Sequence, residues 1–291
     1  LLMMASMAAF TLNDACIKAL SGTAPFFQIV FLRGLITLPM FLALGWSMRA
    51  IRLPQNARDR RLLLARTGAE IGAVYFFLNA LFNMPIANAT AILAILPLAV
   101  TLAGALFLGE PVGWRRLAAI CVGMAGVLLI IRPGAEGFTI YSIYVVVAVV
   151  FVVARDLTAR RLGNDVRSIF AAIVGAVGVT IFAGIGSLSE TWVAFGTGDV
   201  LLLTAAGVFI LVAYVCSVMT MRVGEIGFVT PFRYTSLLWA LVLGLVFFGE
   251  WPQPLTLLGA GIVVATGIFT LAREQALRRR SASEVAMRRS G

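Results

Sequence analysis

The sequence predicts an all-α integral membrane protein of ten transmembrane helices arranged as two inverted five-helix repeats. Three observations carry that expectation. Hydrophobic residues fill 61% of the 291 positions and charged residues only 12%, about half the charged share of a soluble domain. The apolar residues gather into runs close to the roughly 20 residues a helix needs to cross a bilayer core. Landmarks of the first half recur in the second at a nearly constant offset.

The runs follow in order at residues 1–20, 26–46, 67–85, 88–108, 115–131, 139–156, 168–187, 199–221, 228–248 and 254–272. The first lacks a basic start and carries Asn13, Asp14 and Lys18, so it reads as a span rather than a cleavable signal, and a start at Leu1 points to native residues ahead of it. Ser21-Gly22-Thr23-Ala24-Pro25 ends it. The second run leads into a basic loop over 47–66, and the third opens on Gly68-x-x-x-Gly72, a close-packing pattern. The fourth contains Pro97 and ends in Phe107-Leu108-Gly109-Glu110-Pro111. The fifth is rich in small residues and stops at Arg132-Pro133-Gly134. The sixth ends in Arg155-Asp156, and the seventh and eighth are almost wholly apolar. The ninth contains Pro231 and ends in Phe248-Gly249-Glu250-Trp251-Pro252, and the tenth carries Gly259-x-Gly261. Backbone groups have no water to bond in lipid, so each run is expected to be helical; a barrel's alternating pattern is absent.

Arginine placement orients the chain. With the N-terminus inside, most of the 23 Lys and Arg fall in internal loops and in the tail after residue 272, leaving Lys18 and Arg132 outside and Arg33 and Arg233 within spans. Both termini are therefore expected in the cytoplasm, in the cell inner membrane. The same distribution accounts for the net charge of +10 without a nucleic-acid groove. The basic loop and tail face membrane lipid. Cys16, Cys121 and Cys216 sit in separate spans and read as packing residues; no metal site and no cofactor are implied.

The repeat shows in the Leu-Gly-Glu and Phe-Gly-Glu turns 140 residues apart, each followed by a glycine-spaced helix. Asp14-x-x-x-Lys18 faces Asp156-x-x-x-Arg160 at an offset of 142. Five spans per repeat is odd, so the halves cross the membrane in opposite senses with a pathway between them. The division falls into a first repeat over 1–137, a second over 138–272 and a basic cytoplasmic tail over 273–291.

These turns, with the five-plus-five layout, resemble the drug/metabolite transporter superfamily, specifically its EamA-domain branch, and most of all its YddG-type amino-acid exporters. The resemblance implies a central cavity lined by spans 1, 3, 4, 6, 8 and 9, with spans 5 and 10 peripheral. Pro97 and Pro231 do not align, which departs from repeat symmetry.

Polar groups at membrane depth point to function. Tyr75, Asn79 and Phe82 share a face of span 3, with Asn83 beside them; a side-chain amide both donates and accepts, which suits a zwitterion. Tyr214 and Ser217 share a face of span 8, and Tyr234 and Trp239 lie on span 9. These eight are the candidate substrate-binding residues, each weighed against ordinary helix packing. Asp14 and Lys18, spaced to form an ion pair, and Asp156 and Arg160 are candidate latches at opposite gates, with Arg233 a further gating or carboxylate-binding candidate. Asp14 is also a candidate carrier of a coupling proton, opposed by the charge of Lys18. No residue is assigned a catalytic role: the chain has no histidine, no phosphate-binding loop and no nucleophile elbow.

The resulting expectation is a secondary transporter, not an enzyme, exporting amino acids, aromatic ones among them, or related small metabolites by alternating access. Its partners are a small-molecule substrate and membrane lipid, with no nucleic acid and no ATPase subunit. The alternatives are a drug, nucleoside or nucleobase carrier of the same fold, a membrane enzyme, and a non-transporting receptor.

Overall fold

The computed structural model describes residues 1–109, 113–132, 139–163, 165–223 and 230–290. The described elements are helical: α1 (Leu2–Ala19), α2 (Phe26–Ser47), α3 (Ala57–Asn83), α4 (Ile86–Leu93), α5 (Leu96–Leu108), α6 (Trp114–Ile131), α7 (Ile140–Arg160), α8 (Ser168–Ser187), α9 (Thr197–Val223), a 3-10 turn (Thr230–Tyr234), α10 (Thr235–Phe248) and α11 (Pro254–Ser290). Six stretches are long and apolar enough to cross a membrane: Phe26–Ser47, Ile86–Leu108, Ile140–Arg160, Ser168–Ser187, Thr197–Ser217 and Pro254–Arg273. Leu117–Ile131 and Phe232–Phe248 are shorter apolar helices. The expected repeat boundary at 137/138 and the Glu110-Pro111 turn residues lie outside the described residues.

Two of the expected spans are broken rather than continuous. α4 gives way to α5 across Ala94 and Ile95, just before Pro97, which has no N–H to return to the preceding turn. In the second half the 3-10 turn containing Pro231 passes directly into α10. Both second segments then stop in the same way. Gly109 and Gly249 adopt left-handed backbone at φ 67° and 63°, a conformation that glycine takes without the penalty of a Cβ.

Packing pairs α3 with α7, α1 with α9, α2 with α8, and α6 with α11. One large core of buried Leu, Ile, Val and Ala side chains joins α1, α2, α3, α4, α7 and their neighbours. The α6–α11 pair depends on glycine. A Cβ on Gly126 would meet the Gly259 carbonyl oxygen at 2.9 Å, and one on Gly259 would meet the Gly126 oxygen at 2.5 Å. Gly259→Val is therefore expected to force these helices apart and destabilise the fold by about 1–3 kcal/mol, the usual cost of overpacking. A lowered unfolding temperature in detergent checks this; an unchanged one contradicts it. Gly72 is likewise closed in, by Phe151 at 2.6 Å, whereas Gly68 has open space.

Candidate functional site

The polar residues of the helix interiors converge on one cavity. On α3 the four-residue helical repeat puts Arg66, Glu70 and Val74 on a single face, and all three line a cavity of about 430 Å³. Asp14 enters from α1, Arg33 and Thr37 from α2, Arg155 and Asp156 from α7, Thr180 from α8, Tyr214 and Ser217 from α9, and Arg233 from the 3-10 turn.

An ion network stiffens one wall. Arg155 places Nη1 at 3.2 Å from Glu70 Oε1 and Nη2 at 3.0 Å from Asp156 Oδ1. Arg66 Nη2 lies 3.5 Å from Glu70 Oε2, and its Nη1 donates to the Ala171 carbonyl at 2.7 Å. Each carboxylate here is shared with a guanidinium, the arrangement that makes charge tolerable away from bulk water. Across the cavity, Asp14 accepts one hydrogen bond, from Asn13 Nδ2 at 2.9 Å. The hydroxyl of Tyr214 is buried and has no hydrogen-bond partner among the described residues.

A larger space adjoins the cavity toward one end of the bundle. A vestibule of about 980 Å³ lies between the ends of α2 and α7 and the start of α8, lined among others by Met48, Arg160, Leu162 and Ile169. Arg66, Tyr214 and Ser217 line both spaces, so the two adjoin across these side chains.

The opposite end is sealed. Lys18 is only 8% exposed; its Nζ lies 2.7 Å from Glu250 Oε1, donates to the Met84 carbonyl at 2.6 Å and sits 5.2 Å from the centre of the Phe248 ring. Glu250 Oε2 accepts from the Ile86 N–H at 3.1 Å, at the start of α4, where an anion is favoured by the free N–H groups. One carboxylate thus ties α1, α4 and the end of α10 together. Ile17, Leu20, Leu81 and Ile86 pack fully buried around it. At the same end Glu190 caps α2 by accepting from the N–H groups of Phe27 and Gln28 at 3.1 and 3.0 Å.

The sequence-derived candidates divide between these places. Tyr214, Ser217, Arg233, Asp14 and Asp156 meet in the central cavity, and Arg160 lines the vestibule. Asp14 and Asp156, expected at opposite gates, share one wall-lined space because the α1–α9 and α3–α7 pairs enclose it together. The expected ion pairs also differ. Lys18 turns to Glu250 rather than to Asp14, and Asp156 takes its ion pair from Arg155.

Tyr75 sits in an aromatic cluster with Phe26, Phe76 and Phe182, and Phe82 packs on Phe26. Asn79 and Asn83 donate to the backbone carbonyls one turn earlier, those of Tyr75 and Asn79, at 2.7 and 2.8 Å. Tyr234 is buried against α11, where Gly267 leaves room for its ring and hydroxyl, and Trp239 is 38% exposed. The cavity wall includes α2 and α8, which the family resemblance does not imply, while α6 and α11 stay outside it. Glu250, Glu70, Arg155, Arg66 and Arg33 are residues of these sites that the candidate list lacks. Glu250 had a signal: in the ten-span topology it ends span 9 on the same side as Lys18.

Residues 1–132 match the EamA-like transporter family. Over 93% of this chain and 95% of its own length, the pseudopaline exporter of Pseudomonas aeruginosa is 27% identical. The riboflavin transporter of Rhizobium johnstonii is 27% identical over 90% of this chain and 84% of its own. The S-adenosylmethionine uptake transporter of Rickettsia conorii is 23% identical over 93% and 91%. A crystal structure that is 19% identical superimposes with a TM-score of 0.64 over 93% of this chain and 96% of the other, which shows a shared fold. An EamA-family domain thus covers the N-terminal region, the full-length relatives are transporters, and the apolar helices make this a multi-pass membrane protein.

Proposed function

We propose that this chain, whose N-terminal region carries an EamA-like transporter domain, is a ten-span secondary carrier that exports amino acids or related small metabolites across the cell inner membrane by alternating access. The observation that carries the reading is a charged central cavity adjoined by a vestibule at one end and closed at the other by Lys18, Glu250 and the Met84 carbonyl. Polar groups at membrane depth, reached from one side at a time, are what a carrier needs and what a receptor or packing bundle does not.

The inverted-repeat reading, with repeats over 1–137 and 138–272, draws support from the packing. Exchanging each span for its counterpart five positions away turns the α1–α9 pair into the α7–α3 pair, and maps α2–α8 and α6–α11 onto themselves. The left-handed glycines 109 and 249 obey the same exchange. The two halves then cross the membrane in opposite senses, both termini are cytoplasmic, and the vestibule opens inward. The binding role falls to Tyr214 and Ser217 on the cavity wall; Tyr75, Asn79, Phe82, Asn83, Tyr234 and Trp239 support the helices that frame it.

Counterflow in proteoliposomes with a labelled panel of amino acids, nucleosides and cationic drugs tests the carrier reading. Accelerated exchange of an amino acid is expected; no exchange of any solute by folded protein contradicts it. Topology has its own test. Single cysteines in the 47–56 loop are expected to resist an impermeant maleimide added to intact cells, and strong labelling there reverses the orientation.

A further inference from the structure

The charged groups of the central cavity do not cancel. Glu70 and Asp156 are taken up by Arg66 and Arg155. What remains on the cavity wall is Asp14, near Arg33, and a second guanidinium, Arg233; neither arginine makes a hydrogen bond or an ion pair with any described residue. Asp14 and Glu70 lie near Arg33, and Asp156 lies near Arg233, without an ion pair to either arginine among the described residues. Arg33 is half-buried and Arg233 is exposed; an arginine at membrane depth is costly unless water or an anion reaches it. The repeat does not require either one: offsets of 140 and 142 place Ile173 or Gly175 opposite Arg33, and Leu93 or Ala91 opposite Arg233.

We infer that the cavity recognises an amino dicarboxylate, a zwitterion whose two carboxylates reach Arg33 and Arg233 while its ammonium faces Asp14; the inference rests on the carrier reading above. The guanidinium fork fits a carboxylate with two parallel N–H bonds. The unpaired Tyr214 hydroxyl and Ser217 supply further hydrogen bonds on the same wall. A substrate with net charge −1 neutralises the one cation left over, and a cavity of about 430 Å³ holds one such molecule with water. A neutral aromatic amino acid leaves one arginine bare, and a lipophilic cation leaves both.

The test has a binding arm and a flux arm, both on the full chain. In the first, purified protein is titrated calorimetrically with L-glutamate, L-glutamine, L-phenylalanine and L-glutamate dimethyl ester. Glutamate is expected to bind at least tenfold more tightly than the others. Arg33→Gln and Arg233→Gln are each expected to weaken glutamate binding to the level of glutamine while glutamine binding is retained, a change that misfolding does not produce. In the second arm the same compounds are followed in counterflow. Equal binding of all four compounds, a preference for phenylalanine, or variants that keep the glutamate preference overturn the inference, and the carrier reading survives if any solute exchanges. Glutamate binding without exchange of any solute retains the site and removes the carrier reading.

Discussion

Lys18→Met is expected to abolish transport and to open the sealed end of the bundle. The substitution removes the cation that Glu250 pairs with at 2.7 Å and the donor to the Met84 carbonyl. Removing one member of a buried ion pair costs about 3–5 kcal/mol, because the other charge is left without compensation. Here that cost falls only on the closed conformation, since opening lets water reach Glu250. The equilibrium between the two access states then moves by the same amount, enough to turn a minor open state into the dominant one. Glu250→Gln is expected to act in the same direction but less strongly, since the amide still accepts from the Ile86 N–H. Cysteine accessibility at Ser21 or Asn83 from outside measures the shift. If Lys18→Met leaves accessibility and transport as in the wild type, the seal is structural packing only.

Glu70→Gln is expected to reduce transport by more than a hundredfold while the protein remains able to fold. Among the described residues Glu70 is the carboxylate shared by Arg66 and Arg155, so its neutralisation leaves Arg66 without an anion and Arg155 with Asp156 alone, beside a cavity already rich in positive charge. A hydrogen bond to an ionised group is worth about 1.5–3 kcal/mol; Arg155 would keep only a neutral acceptor there, and Arg66 would lose its ion pair. The wall is then expected to reorganise, with Arg155 turning wholly to Asp156. Kinetics measured in proteoliposomes, together with an unfolding temperature, separate the two contributions. Near-normal flux with a large loss of stability would assign Glu70 to the scaffold alone.

Much of this architecture is legible in the sequence because membrane helices are written locally. The apolar runs, Pro97, and the two Gly-Glu turns mark breaks and ends that the backbone adopts at Ala94–Ile95, Gly109 and Gly249. Side-chain partners are a different matter, because they are set by which helices adjoin. Lys18 and Asp14 have the spacing of an ion pair on α1, but α10 and α4 bring Glu250 and a free carbonyl to Lys18, and the competition is decided in three dimensions. The same holds for α3. Its polar stripe at Tyr75, Asn79 and Asn83 satisfies itself by bonding back along the helix, while the charged face at Arg66 and Glu70 meets the cavity. Arg33 stands out in sequence as a charge inside a span, yet only the fold places it beside Asp14.

The central claim is that the two ends of the bundle open in alternation around one cavity. Spin-label pairs at Thr23 and Trp251 on the sealed end, and at Arg49 and Asp165 on the vestibule end, report it directly once Cys16, Cys121 and Cys216 are replaced by serine. Distances would be measured in nanodiscs for the wild-type background and for Lys18→Met. Lengthening of the first distance together with shortening of the second, in the same variant, is the predicted result. Lengthening at the sealed end with no change at the vestibule, or no change at either end, would contradict alternating access in this protein.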